Sequence, residues 1–219
     1  MPQPLIPSCP SKVPVDWLAI ESVQQRFREP RPWRPETVEP RIFEAPPVAA
    51  AVLMLLIPHA DGPRILLTER TAHLRQHPGQ ISFPGGRHEP HDVDAVATAV
   101  RETREEVGID PTLVEVFGTL PPYLTASNFA VTPVVARLQT AVDGAATRFA
   151  ADAREVQRLI VAPVRELLDP DRYVRQMIVT SQGQRSVWVI TYTDAAGASH
   201  RIWGATAAML RNFYRFLKG

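Results

Sequence analysis

The sequence predicts an α/β fold in which a mixed β-sheet is covered by helices and preceded by a proline-rich N-terminal arm. Three observations carry that reading. Apolar runs of strand length are interleaved with segments of helical periodicity. The longest run, Val48–Ile57 (VAAAVLMLLI), carries no polar residue and reads as a buried strand. The prolines are unevenly spread, 11 of the 22 falling in the first 47 residues.

In chain order, residues 15–28 read as a short helix inside the arm, with Asp16 as N-cap and Trp17, Ile20, Val23 and Phe27 on one face. The rest of the arm is expected to be extended, because proline lacks a ladder donor and restricts the residue before it. So apolar an arm should pack on the domain or on a partner subunit, which leaves a homodimer open. The character changes at Val48, dividing the chain into the arm, residues 1–47, and one domain, residues 48–219. After Val48–Ile57 come an Asp61-Gly62-Pro63 turn and a second strand at 65–68. A short strand at 81–83 ends in a loop at Pro84-Gly85-Gly86. Residues 92–107 form the strongest helix, with Val93, Val96, Ala97 and Val100 at helical spacing and Gly108 as its stop. Val114–Thr119 and residues 131–138 read as strands. Residues 159–164 read as a strand leading into a helical turn at 165–168, and Val174–Thr180 with 186–192 as a hairpin. An amphipathic helix at 203–217 closes the chain, with Trp203, Ala207, Leu210, Phe213 or Tyr214, and Leu217 inward.

Composition narrows the function classes. With 45% hydrophobic and 21% charged residues the chain is globular. The 24 Lys and Arg against 23 Asp and Glu leave a net charge of +1, which gives no general pull toward nucleic acid or an anionic membrane. Any polyanionic ligand must be held by local charge. The single cysteine, Cys9, excludes a disulfide scaffold and a zinc cluster, and suits a reducing compartment. No window reaches the length of a membrane span, so a soluble, cytoplasmic protein is expected.

The chemistry concentrates on the strongest helix. Glu102, Glu105 and Glu106 are related as i, i+3 and i+4, so three carboxylates stand on one face. Like charges so crowded repel, and a divalent cation reverses the sign of that repulsion; carboxylate oxygens suit Mg²⁺ or Mn²⁺. Arg101, four residues before Glu105, can brace it. Upstream, Gly85-Gly86 allow a main-chain carbonyl or amide to approach a metal or phosphate closely. Arg70, Arg75 and His77 form a compact basic patch whose arginine forks match phosphate oxygens.

Gly86-x5-Asp92-x8-Arg101-Glu102-Thr103-Arg104-Glu105-Glu106-Val107-Gly108-Ile109 resembles the Nudix box, G-x5-E-x7-R-E-U-x-E-E-x-G-U, where U is bulky and aliphatic. Three positions depart from it. Asp92 fills the first acidic position, with Glu89 and Asp94 nearby; one extra residue precedes Arg101; and Thr103 replaces an aliphatic residue. Residues 66–86, LLTERTAHLRQHPGQISFPGG, look like the L-L-T-x-R-[SA]-x3-R-x3-G-x3-F-P-G-G pattern of the coenzyme A pyrophosphatase branch, with Thr71 the only mismatch. Residues 120–125, LPPYLT, and 131–135, VTPVV, are similar to a further stretch of that branch. Together the resemblances cover residues 48–164.

The resemblance implies a Nudix-type α/β/α sandwich and metal-dependent hydrolysis of the pyrophosphate bond of coenzyme A or a derivative. It implies Glu102, Glu105 and Glu106 as metal ligands together with the carbonyl of Gly86, and Glu102, Glu105 and Arg101 in catalysis. Glu155 is the leading downstream candidate for a general base or extra ligand. Arg70, Arg75, Gly85 and Tyr123 are the substrate-binding candidates. The alternatives are the same chemistry on an ADP-sugar or dinucleotide, and a catalytically silent binding module, against which the intact Arg101-Glu102 and Glu105-Glu106 pairs argue.

Overall fold

The structure, a computed structural model, describes residues 15–36, 45–73, 78–139, 149–180 and 183–219. After a 3₁₀ turn at Val15–Leu18, the first helix, α1, runs Ile20–Arg28. The single helix expected over 15–28 is instead a turn followed by a helix whose N-cap position is Ala19. Eight strands then build the main sheet: β1 (Val48–Ile57), β2 (Arg64–Arg70), β3 (Ile81–Ser82), β4 (Gly85–Arg87), β5 (Val114–Thr119), β6 (Tyr123–Leu124), β7 (Phe129–Leu138) and β8 (Val156–Pro163). The acidic helix, α2 (Ala95–Val107), lies between β4 and β5. One helical turn, α3 (Val164–Leu167), leads to a separate three-stranded sheet of β9 (Val174–Thr180), β10 (Gly183–Thr193) and β11 (Ser199–Trp203), and α4 (Ala205–Lys218) ends the chain.

The sheet is mixed. β1 runs parallel to β7 over nine paired positions, and the remaining pairings are antiparallel. β1 divides its other edge: Ala50, Ala51 and Val52 pair with β4, whereas Leu56 and Ile57 pair with β2. β2 continues along β8, and a register irregularity at Glu69/Arg70 closes that pairing. Such bulges turn a strand end and re-aim its side chains.

Period-two alternation splits β1 between two cores. Ala51, Leu53, Leu55 and Ile57 join Ala99 and Val107 of α2 on one face, while Ala50, Met54 and Leu56 join Val23 of α1 and Leu210, Phe213 and Leu217 of α4 on the other. Helices therefore cover both faces, and the α/β/α sandwich is the observed fold. None of the helices among the described residues is long and apolar enough to cross a membrane.

Three local expectations are corrected. Gly85-Gly86 are not loop but the strand β4, because their backbone completes the ladder with Val52 and Ala51. α2 starts at Ala95 rather than Asp92, since the Asp94 carboxylate accepts the N–H of Ala97 at 2.8 Å and fixes the cap there. Trp203 belongs to β11, and α4 begins only after Gly204, whose φ of +64° breaks the strand.

The described part of the arm packs on the rest of the chain. Arg26 donates through Nε to the carbonyl of Phe216, Phe27 and Trp33 pack their rings on Phe216, and the Glu36 carboxylate binds Arg211 and the indole N–H of Trp188.

Candidate active site

α2 holds its acidic residues against β4 and the turn before β8. Val107 and Ala99 face the core, which leaves Arg101, Glu102, Glu105 and Glu106 toward the split edge of β1. Gly108 at φ +74° ends the helix, and its N–H returns to the carbonyl of Arg104.

Arg101 organises the first layer. Its Nε and Nη2 donate to the two oxygens of Asp92, each at 2.9 Å; Nη1 reaches Glu102 at 3.1 Å and Glu105 at 3.2 Å; and Nη2 also donates to the carbonyl of Arg87. Asp92, its side chain buried, accepts further hydrogen bonds from the N–H of Glu89 and the hydroxyl of Thr98. The Arg101 guanidinium is the main reason that the Asp92 carboxyl is held far below its usual range. An ionised carboxylate can only accept, so Thr98 donates to Asp92 and in turn takes the Nδ1–H of His88 at 2.9 Å. Among the three acidic residues that competed for the first position of the box, Asp92 is the one bound to Arg101, and Asp94 is the helix cap. The extra residue of the box falls between Asp92 and Arg101, and the spacing from Arg101 to Val107 lies wholly within α2.

The second layer surrounds Glu106, whose side chain is 7% exposed. One oxygen accepts the N–H of Gly85 at 3.1 Å, and the other lies 3.7 Å from Arg70. Burial pushes the Glu106 carboxyl up to about 7; the charges of Glu102 and Glu155 act in the same direction, against Gly85 and Arg70. Glu102 is also raised, first by burial, with Glu105 and Glu155 adding to the effect and Arg101 opposing it. Glu155, although 49 positions beyond Glu106, therefore stands within electrostatic reach of both.

Two glycines make room for this packing. A Cβ on Gly86 would sit 2.5 Å from the Glu102 carboxylate carbon, and one on Gly85, at φ +148°, would strike the backbone of β1.

The structure thus brings together Arg70, Gly85, Gly86, Arg101, Glu102, Glu105, Glu106 and Glu155. Tyr123, in β6, pairs with Val131 of β7 and packs against the core cluster that includes α1 and α4. Arg75 and His77 lie outside the described residues. Sequence spacing did not single out Thr98, His88 or Thr71 as parts of the surrounding framework. They act through hydrogen bonds to single atoms, which leave no periodic trace.

The NUDIX domain model matches residues 46–178, a span that contains β1 to β8 and the whole of α2. The chain belongs to the Nudix family. Curated relatives agree with that membership. A Nudix hydrolase named NudL, described as uncharacterized, from Pectobacterium atrosepticum is 40% identical over 161 residues, covering 74% of this chain and 78% of the relative. Its counterpart from Enterobacter sp. strain 638 is 36% identical over 162 residues, covering 74% and 79%. Among solved structures, the Nudix hydrolase RenU of M. smegmatis is 22% identical with a TM-score of 0.46, over 57% of this chain and 77% of that one. Within the Nudix family the acidic face of α2 is the box itself, and the chain is a Nudix hydrolase of pyrophosphate bonds.

Proposed function

We infer that this Nudix hydrolase cleaves the pyrophosphate bond of coenzyme A or one of its acyl or oxidised derivatives, releasing 3',5'-ADP and the matching 4'-phosphopantetheine. The observation that carries this reading is the convergence of Arg70, Gly85 and Gly86, all from the L-L-T-x-R…F-P-G-G signature, on the box glutamates. A signature that resembles the coenzyme A pyrophosphatases therefore supplies one wall of the same cluster that the box supplies from the other side.

The residues fit a divalent metal by donor chemistry. Glu102, Glu105 and Glu106 offer the oxygen donors that Mg²⁺ or Mn²⁺ favours, Gly86 packs directly against Glu102, and a dication relieves the mutual repulsion that adds to burial in raising Glu102 and Glu106. Among the described residues no three acidic, histidine or cysteine side chains close on one point. Holding the metal thus requires these glutamates to rotate about Cα positions already gathered on one helical turn. When bound, the metal neutralises charge on the phosphate oxygens and lowers the pKa of a bound water. Arg101 keeps Glu102 and Glu105 oriented, Arg70 offers a guanidinium to the diphosphate, and Glu155, within electrostatic reach of Glu102 and Glu106, serves as the base for the attacking water or as a further ligand.

The test is a turnover panel of coenzyme A, dephospho-coenzyme A, ADP-ribose and NADH, with product identification, before and after metal removal by a chelator. The expected result is fastest cleavage of coenzyme A to 3',5'-ADP, lost with chelation and restored by Mg²⁺ or Mn²⁺. Faster turnover of ADP-ribose overturns the substrate, and undiminished turnover without metal overturns the metal site.

A further inference from the structure

The turn that carries Glu155 is tied at both ends. On one side, Ala150 and Asp152 donate their N–H groups to the carbonyls of Val107 and Glu106, the last residues of α2, at 2.8 and 3.0 Å. On the other side the tie is Thr71, the one residue at which the 66–86 segment departs from its signature. The N–H of Thr71 donates to the carbonyl of Glu155 at 3.0 Å, and its hydroxyl donates to the carbonyl of Arg154 at 3.2 Å. His73 Nε2 lies 3.1 Å from the same Arg154 oxygen, which is a hydrogen bond only if that nitrogen carries the proton. Thr71 is 6% exposed and directly follows Arg70, whose guanidinium faces Glu106. Two consecutive residues at the end of β2 therefore hold two different carboxylates, one through a side chain and one through a main-chain turn.

We propose that Thr71 is a positioning residue: its hydroxyl and amide pin the Asp152–Glu155 turn so that the Glu155 carboxylate keeps a fixed separation from Glu106. This rests on the reading in which Glu155 serves the hydrolysis. The hydroxyl is the separable part, because valine has the same branched shape and the main-chain amide is common to every replacement. A loosened turn leaves substrate affinity alone and lets Glu155 wander from the attacking water. The effect therefore falls on kcat rather than KM.

The test combines kinetics with a structural readout that needs no turnover. Thr71→Val is expected to lower kcat about tenfold with KM nearly unchanged, and Thr71→Ser to restore it. In a Glu155→Gln background the same Thr71→Val change is expected to add nothing, because the residue it positions no longer works. Independently, trypsin cleaves after Arg154, at the peptide whose carbonyl the clamp holds. Thr71→Val is expected to speed that nicking of the full-length protein about tenfold, Thr71→Ser to leave it unchanged, and His73→Ala, an exposed and fold-sparing substitution, to speed it to a lesser degree. Equal losses from Thr71→Val in the wild-type and Glu155→Gln backgrounds overturn the proposal, as does nicking that neither Thr71→Val nor His73→Ala accelerates. If Glu155→Gln leaves kcat intact, or no substrate of the panel is cleaved, the catalytic reading of Glu155 falls instead, while the nicking rates still judge the clamp.

Discussion

Arginine does two different jobs in two regions of this molecule. Around α2 it is outnumbered by acid: Arg101 alone holds Asp92, Glu102 and Glu105, and Arg70 faces Glu106. In the layer made by α1, α4 and the three-stranded sheet it is surrounded by rings. Arg211 stacks 3.7 Å above Trp188 and 5.3 Å from Tyr173, Arg175 lies 4.3 Å from the same indole, and Arg26 stands over Phe216. Glu36 takes up the charge of Arg211 and, more distantly, Arg215. The first arrangement leaves Glu102 and Glu106 buried, crowded and raised in pKa, which is costly to the fold and useful to chemistry. The second packs its guanidinium groups on rings, with Glu36 as the acid for Arg211 and Arg215, and ties the described part of the arm to α4. Activity and stability should therefore separate between the two regions.

Glu106→Gln gives the largest expected separation. Loss of that carboxylate should lower kcat at least a thousandfold, about 4 kcal/mol of transition-state stabilisation, with the thermal midpoint unchanged or raised, since a buried repulsive charge is removed. A midpoint that falls with activity would break the contrast. Phe216→Ala should do the opposite: a loss of about 3 kcal/mol in denaturant unfolding, because the ring supports Phe27, Trp33 and Arg26 at once, with kcat/KM of the folded protein preserved. Gly86→Ala comes third. Its added methyl meets the Glu102 carboxylate, so kcat should drop about tenfold with little change in stability.

The smallest effect sharpens the contrast through pH. Asp92 has its pKa lowered in the folded state, so its contribution to stability is present above its unfolded value of about 4 and is lost as pH falls below it. Asp92→Asn should accordingly be less stable than wild type at neutral pH, with the gap narrowing as the solution is acidified. Parallel unfolding curves at pH 7 and pH 3 read this directly, and a gap that stays constant would show that the Arg101 pair does not act through ionisation.

Legibility in the sequence followed the range of the interaction. β1, β5 and β9 matched their expected bounds closely, because each is written in a run of consecutive strand-forming residues, although only β1 is buried: β5 is half-buried and β9 leaves Val174, Met177 and Val179 exposed. β4, β6 and β11 were not anticipated: Gly85–Arg87 and Tyr123–Leu124 are too short to show a period and exist only because β1 and β7 offer them ladder partners. In the site, the glutamates of α2 were readable from i, i+3 and i+4 spacing, but the choice of Asp92 over Asp94 and Glu89 was not, since it depends on which carboxylate meets Arg101 once the loop is closed.

By itself, then, the sequence determined a mixed sheet covered by helices and an acidic helix face, properties of residues within a few turns of one another that follow from the 3.6-residue period and from strand alternation. The Nudix sandwich was implied by the resemblance of its motifs. Only the tertiary structure decided that Arg70 faces Glu106, that Glu155 comes within electrostatic reach of it, that Thr71 is bonded to the carbonyls of Arg154 and Glu155, and that the described part of the arm is bound to α4. Those meetings join positions tens of residues apart or more, and they follow from the register of β2 on β8 and from the packing of helices on opposite sheet faces, which no local pattern encodes.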